Sequence, residues 1–306
     1  MVVADRKSSS DRPRRLLDPA AVARLTGLQL RARTVVEGFL TGLHQSPYHG
    51  FSVEFAQHRP YMPGDSLRHL DYRVLSRTGR YYIKQYQEET NLKAYLLVDH
   101  SGSMGYGSSA YSKLSYASNL AAALALLLLR QRDAVGLINF GEAVNAIMPP
   151  SAAMGWLTPI TTALERLEPA GATNVASALF NVAERVKRRG LVILFSDLLD
   201  DPDRTIAGMR AIRHVGHDLL VFHILDPMEV SFAFNRDARF QDLETGQLLP
   251  SRPWHIREEY RREMSLFIER YRASCRENSI DYGLFSTDTA YEVALFEFLS
   301  RRRRLM

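Results

Sequence analysis

Two aspartates stand where short apolar runs end. Residues 94–98 close on Asp99, and residues 191–196 close on Asp197. Behind the first comes Asp99-His100-Ser101-Gly102-Ser103-Met104. Between the two runs lies Gly171-Ala172-Thr173-Asn174, just ahead of a helical pattern. Two carboxylates and three hydroxyls make an all-oxygen donor set, which suits a hard cation such as Mg²⁺ or Mn²⁺ far better than zinc or copper. The alternation of Asp99, Ser101 and Ser103 lets an extended-to-turning loop point all three inward, and Gly102 permits a sharp bend. Each residue also has a plainer role. Asp99 and Asp197 suit N-caps and Asx-turns, and Thr173 and Asn174 suit a helix cap. Three matching pieces in order, each on the right side of a strand or helix, favour a metal site built from Asp99, Ser101, Ser103, Thr173 and Asp197.

The elements that must position these residues follow from periodicity. Strands are expected at 94–98, 134–140, 144–148, 191–196, 219–225 and 280–285, and helices at 113–132, 156–167, 174–188, 202–215, 257–277 and 291–302. The helix from Lys113 is apolar almost all round, which predicts burial on most sides. Alternating strands and helices imply an α/β fold, a Rossmann-like and mostly parallel sheet flanked by helices. In such sheets ligands bind beyond the carboxyl ends of the strands, where Asp99 and Asp197 stand. Residues 232–249 interrupt the order with alternation and a Glu244-Thr245-Gly246 turn, which suggests a β-hairpin insertion near 230–250. Ahead of this domain (93–306), residues 16–92 form a smaller helix-plus-strand segment. Asp18-Pro19 suits a helix start, with apolar spacing to about Leu43, and strands are expected at 51–55 and 81–87. Residues 1–15 read as a disordered basic arm.

Composition bounds the rest. The 306 residues are 46% hydrophobic and 24% charged, ordinary for a globular protein. The single cysteine, Cys275, allows no internal disulfide and excludes a Cys-based zinc site. No signal peptide is visible, and the longest apolar run, 120–129, falls far short of the roughly 20 residues that span a bilayer. A cytoplasmic protein without a transmembrane segment is expected. The net charge of +5 sits at the ends: residues 1–15 carry +3 and Arg301–Arg304 carry +4, leaving about −2 between them. The folded body is therefore no basic platform, and nucleic acid is not favoured. The arginine tail also suits the C-terminus of an apolar helix.

The order Asp-x-Ser-x-Ser, a mid-domain Thr loop and a later Asp resembles the metal-ion-dependent adhesion site of von Willebrand factor A domains. The resemblance implies that Ser101, Ser103 and Thr173 coordinate the metal through hydroxyls, while Asp99 and Asp197 contact it directly or through water. It leaves one position for a carboxylate offered by a protein partner. Upstream, Tyr61-Met62-Pro63-Gly64-Asp65-Ser66-Leu67-Arg68-His69-Leu70-Asp71-Tyr72 is similar to the Tyr-x-Pro-Gly-Asp-x-x-Arg-x-Ile-Asp-Trp motif of the bacterial domain-of-unknown-function 58 family. Phe240-Gln241-Asp242-Leu243-Glu244-Thr245-Gly246 and Asp281-Tyr282 match it as well. The sequence departs at Leu70 and Tyr72, and it lacks the paired N-terminal transmembrane helices of many relatives. The resemblance implies an adaptor or co-chaperone working with a MoxR-type AAA+ ATPase or its client. Taken alone, Asp65 and Arg68 suit a local ion pair, so the upstream motif reads as a latch between the N-terminal strands and the main domain.

The enzyme alternatives are a metal-dependent hydrolase or phosphatase using Asp99 and Asp197. Particular versions fail on single residues. A haloacid-dehalogenase-type phosphatase needs a second Asp where Ser101 stands. A P-loop needs Lys where Ser108 stands. A serine-hydrolase elbow needs glycines that His100-Ser101-Gly102-Ser103-Met104 lacks. His214 and His217, near a helix end, suit capping. The expectation is a non-enzymatic, cation-dependent protein-binding module.

Overall fold

The computed structural model describes residues 22, 25–44, 58–60, 75–77, 79–84, 92–109, 111–236, 238–241, 243 and 247–302. The expected basic arm, the strand at 51–55, the motif at 61–72 and the turn at 244–246 lie outside them.

The chain is α/β. Six strands form one sheet: β3 (Lys93–Asp99), β4 (Ala134–Phe140), β5 (Val144–Ser151), β6 (Leu191–Ser196), β7 (Asp218–Leu225) and β10 (Asp281–Ser286). Their order is β10-β7-β6-β3-β4-β5, with only β5 antiparallel to its neighbour. The central strands are short continuous apolar runs because helices cover both faces. Alternate residues go to opposite sides. Ala94, Leu96 and Val98 of β3 join one core with Ile193 and Phe195 of β6. Tyr95 and Leu97 join the other with Val192 and Leu194.

The first face carries α1 (Leu28–His44), α2 (Lys113–Arg130), α3 (Leu157–Glu165) and α8 (Tyr291–Arg302). Helix α2 starts at Ser112, whose hydroxyl accepts the Ser115 N–H, and is buried on nearly all sides as its composition implies. It lies on the sheet, and α1 packs across its outer surface through Ala32, Val35 and Phe39. Each fully buried leucine there contributes roughly 1.5–3 kcal/mol. The second face carries α4 (Val175–Arg185), α5 (Pro202–His214) and α7 (Pro253–Glu277).

Two expectations are adjusted, and one falls partly outside the described residues. Val22 is helical, while residues 16–21 and 23–24, where the helix start at Asp18-Pro19 is expected, lie outside the described residues; left-handed Gly27 (φ 83°) turns the chain just ahead of α1. The expected strand at 81–87 is described as β2 (Tyr82–Lys84), and it pairs antiparallel with β1 (His58–Pro60), which periodicity does not reveal. The hairpin insertion exists as β8 (Ala238–Gln241) against β9 (Leu248–Ser251), preceded by an unanticipated short helix α6 (Pro227–Ser231). Phe232 ends α6 and stacks on Tyr260 of α7 at 4.1 Å and on Phe240 of β8 at 5.6 Å, anchoring the hairpin. No helix among the described residues is long and apolar enough to cross a membrane.

Candidate metal centre

Strand β3 lies between β4 and β6. The chain leaves β3 for β4 on one side and returns to β6 on the other, so the loops after β3 and β6 diverge and open a crevice at their carboxyl ends. Asp99 ends β3 and Asp197 follows β6 directly, which places both at this crevice.

Backbone bonds and one side-chain carboxylate lace three loops together around it. The loop after β3, containing a 3₁₀ turn at Gly102–Gly105, is zipped to the Thr173 loop: Gly102 N–H donates to Gly171 O at 2.9 Å, and Ala170 N–H donates to His100 O at 3.0 Å. Gly171 turns the chain in a left-handed conformation (φ 72°) that glycine tolerates without penalty. The loop after β6 joins them through Asp200, whose Oδ2 accepts the Val175 N–H at the start of α4. Within that loop Leu198 is left-handed (φ 55°), a conformation that costs a bulky residue about 1 kcal/mol or more. Full burial, the Ser196 hydroxyl accepting its N–H, and the Tyr271 hydroxyl donating to its carbonyl hold it there.

Contacts run from Asp99 through Ser101 and Ser103 to Thr173, and Asp197 lies close enough for its charge to act on Asp99. Ser101 and Ser103 hydroxyl oxygens lie 3.2 Å apart, and Ser103 and Thr173 oxygens lie 3.5 Å apart. Adjacent ligands on an octahedral cation with bonds near 2.1 Å are about 3 Å apart, so the spacing of these hydroxyls fits a shared Mg²⁺ or Mn²⁺. Asp99, Ser101 and Asp197 are fully buried, whereas Ser103 and Thr173 remain partly accessible. The plainer roles are present too. Asp99 Oδ1 accepts the Ser101 N–H and Asp197 Oδ1 accepts the Leu199 N–H, both Asx-turns. Asn174, not Thr173, caps α4 by accepting the Ser177 N–H. Burial, and then the charge of Asp197, raise the Asp99 pKa, while hydrogen bonds from Ser196 and Ser101 work against the rise. Among the described residues no trio of His, Cys, Asp or Glu is grouped to hold a metal, so hydroxyls are essential to any cation site here.

Other side chains complete the centre, and the sequence pattern does not single them out. Ser196 donates its hydroxyl to Asp99 Oδ2 at 2.6 Å. Lys113, the first residue of α2, is fully buried; its Nζ lies 2.7 Å from Asp197 Oδ2 and 2.5 Å from Glu229 Oε1. Burial opposes the ammonium, but the two carboxylates outweigh it and raise the Lys113 pKa. Glu229 in turn accepts the Asp226 N–H, and Asp226 accepts the Met228 N–H, closing a capping box on α6. Asp226 Oδ2 also accepts the Ser108 N–H from the loop after β3. Buried His223 of β7 donates from Nε2 to the Asp197 carbonyl at 2.8 Å and accepts the Tyr282 hydroxyl at Nδ1. Burial lowers its pKa to about 4, keeping it neutral. Two signals were available in the sequence: Lys113 is the sole charge in residues 113–129, and Asp226-Pro227-Met228-Glu229 spells a capping box after a strand. His217, read as a capping residue, instead clamps the turn before β6, accepting the Gly190 N–H and donating to Val186 O.

The hairpin reaches this centre. A Cβ on Gly102 would lie 2.6 Å from the Leu243 carbonyl oxygen, so the tip of the insertion rests on the loop that carries Ser101 and Ser103.

The family model described as "Protein of unknown function DUF58" matches residues 57–266. The chain belongs to this family. The DUF58 match takes in the whole centre from Asp99 to Glu229 and stops short of Tyr282. Uncharacterized proteins of Mycobacterium tuberculosis and Mycobacterium bovis are 30% identical over 234 residues, which is 75% of this chain and 73% of theirs. Among solved structures, the conserved hypothetical protein BatB from Bacteroides thetaiotaomicron is 17% identical with a TM-score of 0.46, covering 70% of this DUF58 chain and 99% of BatB. The SpRpn10 VWA domain is 13% identical with a TM-score of 0.34, covering 44% of this chain and 75% of that one.

Proposed function

We propose that the protein is a non-enzymatic module that captures a protein partner through one divalent cation, Mg²⁺ or Mn²⁺, held at Asp99, Ser101, Ser103, Thr173 and Asp197. The observation that carries this reading is the convergence of three neutral hydroxyls with two carboxylates at the crevice beside β3 and β6. Hydroxyl ligands leave a cation under-neutralised, and an under-neutralised cation attracts an anionic ligand. A partner's Asp or Glu carboxylate is the natural candidate. The accessible Ser103 and Thr173 mark the side from which it would approach. The resemblance at Tyr61–Tyr72 points to a MoxR-type AAA+ ATPase, or its client, as the first partner to test, with the chain as adaptor or co-chaperone.

Metal-dependent hydrolysis by Asp99 and Asp197 is the weaker reading. Both side chains are buried, and their oxygens are engaged by Ser101, Ser196, Leu199 and Lys113, so neither is a free nucleophile or base facing the crevice. Calorimetry with Mg²⁺ and Mn²⁺ on the wild type and Asp99→Ala tests the site, and loss of binding in the variant is the expected result. Co-purification with the ATPase should fail in EDTA and return with added Mg²⁺. A complex that survives chelation would overturn metal-bridged capture.

A further inference from the structure

Lys113 is the charged group at the centre that the donor set does not call for. It sits at the first position of α2, where the helix dipole disfavours a cation, and it begins an otherwise uncharged, largely apolar stretch. An apolar side chain there would spare the protein the desolvation of a buried ammonium. The ammonium is nonetheless fully enclosed and touches one oxygen each of Asp197 and Glu229.

We propose that Lys113 is a resident cation that shares Asp197 with the divalent metal, so that it weakens metal binding and ties the metal loops to helix α6. This rests on the metal-site reading above. A divalent cation drawn to Asp197 meets an ammonium already on the same carboxylate, and like charges at that range repel in a poorly solvated site. The second half of the proposal follows the hydrogen bonds. Glu229 holds Lys113 with one oxygen and the Asp226 N–H with the other. Asp226 holds the N–H groups of both Met228 and Ser108. Any redistribution of Lys113 between Asp197 and Glu229 therefore reaches α6 and the loop that leads from Ser103 to α2. A purely structural latch makes a different prediction, since neutral replacements would alter stability and leave metal affinity where it was.

The test is calorimetric titration of the full chain with MnCl₂, alongside thermal melts that report folding. Lys113→Met/Glu229→Gln removes one charge of each sign. It should bind Mn²⁺ about tenfold more tightly than the wild type, because Asp197 no longer shares its charge. Glu229→Gln alone leaves Lys113 to Asp197 and should weaken Mn²⁺ binding by about threefold or more. If the double variant does not fold, the single variant decides. Affinities equal to the wild type in the folded variants overturn the resident-cation role while leaving the metal site standing. Absence of Mn²⁺ binding in every protein, wild type included, overturns the metal site and this inference with it. Binding by the double variant alone supports Lys113 as the resident cation and overturns metal-bridged capture by the wild type.

Discussion

The two sides of the candidate centre are built differently. Ser103 and Thr173 are neutral, partly accessible, and carried on loops joined mainly by backbone bonds. Opposite them, Asp197, Lys113, His223 and Asp226 are buried, and with largely buried Glu229 they form a charged network that reaches into the core. An exchangeable ligand needs the first kind of surface, because binding there requires no rearrangement of the core. The second kind fixes geometry, because a buried charge tolerates little displacement from its partners. The comparison predicts that substitutions on the charged side act first on stability, and those on the hydroxyl side on ligand binding.

The sharpest way to break that comparison is Lys113→Met. It leaves Asp197 and Glu229 facing each other across the vacated site, and removing one partner of a buried pair costs about 3–5 kcal/mol. Urea denaturation should show that loss, and adding Glu229→Gln should recover part of it, since the two residues belong to one network. A loss below about 1 kcal/mol would mean that Lys113 is effectively solvated and that the two sides are alike.

The same contrast explains what the sequence makes legible. Strands such as Leu191–Ser196 and the all-round apolar helix from Lys113 announce themselves by composition, because burial on both faces requires it. Asp99, Ser101, Ser103, Thr173 and Asp197 are recognisable through spacing and residue type. Lys113, Glu229 and His223 are not, because their roles depend on separations of 84, 116 and 26 residues that only the strand order closes. Tyr282 shows the same limit. The sequence marks it only by a resemblance beyond the matched residues 57–266, and its work, orienting His223, exists only once β10 pairs with β7.

His223 offers the next largest effect. Burial lowers its folded pKa to about 4, against about 6.5 for an imidazole in water. Between those values the unfolded chain takes up a proton that the folded chain does not, so this contribution is intact above pH 6.5 and declines as pH falls toward 4. The full loss approaches about 3 kcal/mol. Urea unfolding at pH 7 and pH 5 should show a steeper decline for the wild type than for His223→Gln, which cannot titrate. Equal declines would remove His223 from the acid sensitivity of the fold.

Gly102→Ala probes the boundary between the two sides. The new methyl would meet the Leu243 carbonyl at 2.6 Å and the Gly171 carbonyl at 3.1 Å, so the hairpin or the Thr173 loop must shift. Overpacking of this kind costs about 1–3 kcal/mol. Hydrogen exchange should quicken in the β8–β9 hairpin while β3 stays protected. Uniform quickening across the sheet would show that this contact supports the core rather than the cover of the site.

The smallest effect on stability, and the most informative for function, belongs to Thr173→Ala. One hydroxyl is lost from a partly accessible loop, and the cap of α4 is untouched because Asn174 supplies it. Stability should stay within about 0.5 kcal/mol of the wild type, whereas Asn174→Ala next door should cost about 1 kcal/mol as a lost cap. Metal binding should show the reverse order. Thr173→Ala removes a donor 3.5 Å from Ser103 Oγ and should weaken Mn²⁺ binding, while Asn174→Ala leaves all five donors in place. Water competes for the partner's position, so the metal contributes only part of the affinity and the surrounding loops must supply the rest. Partner capture by Asn174→Ala should therefore survive, and capture by Thr173→Ala should weaken in parallel with its metal affinity. EDTA should shift the wild-type melting temperature only slightly, as weak linkage requires. A large shift in EDTA would place the cation among the supports of the fold, and the division between a structural side and a binding side would fail there.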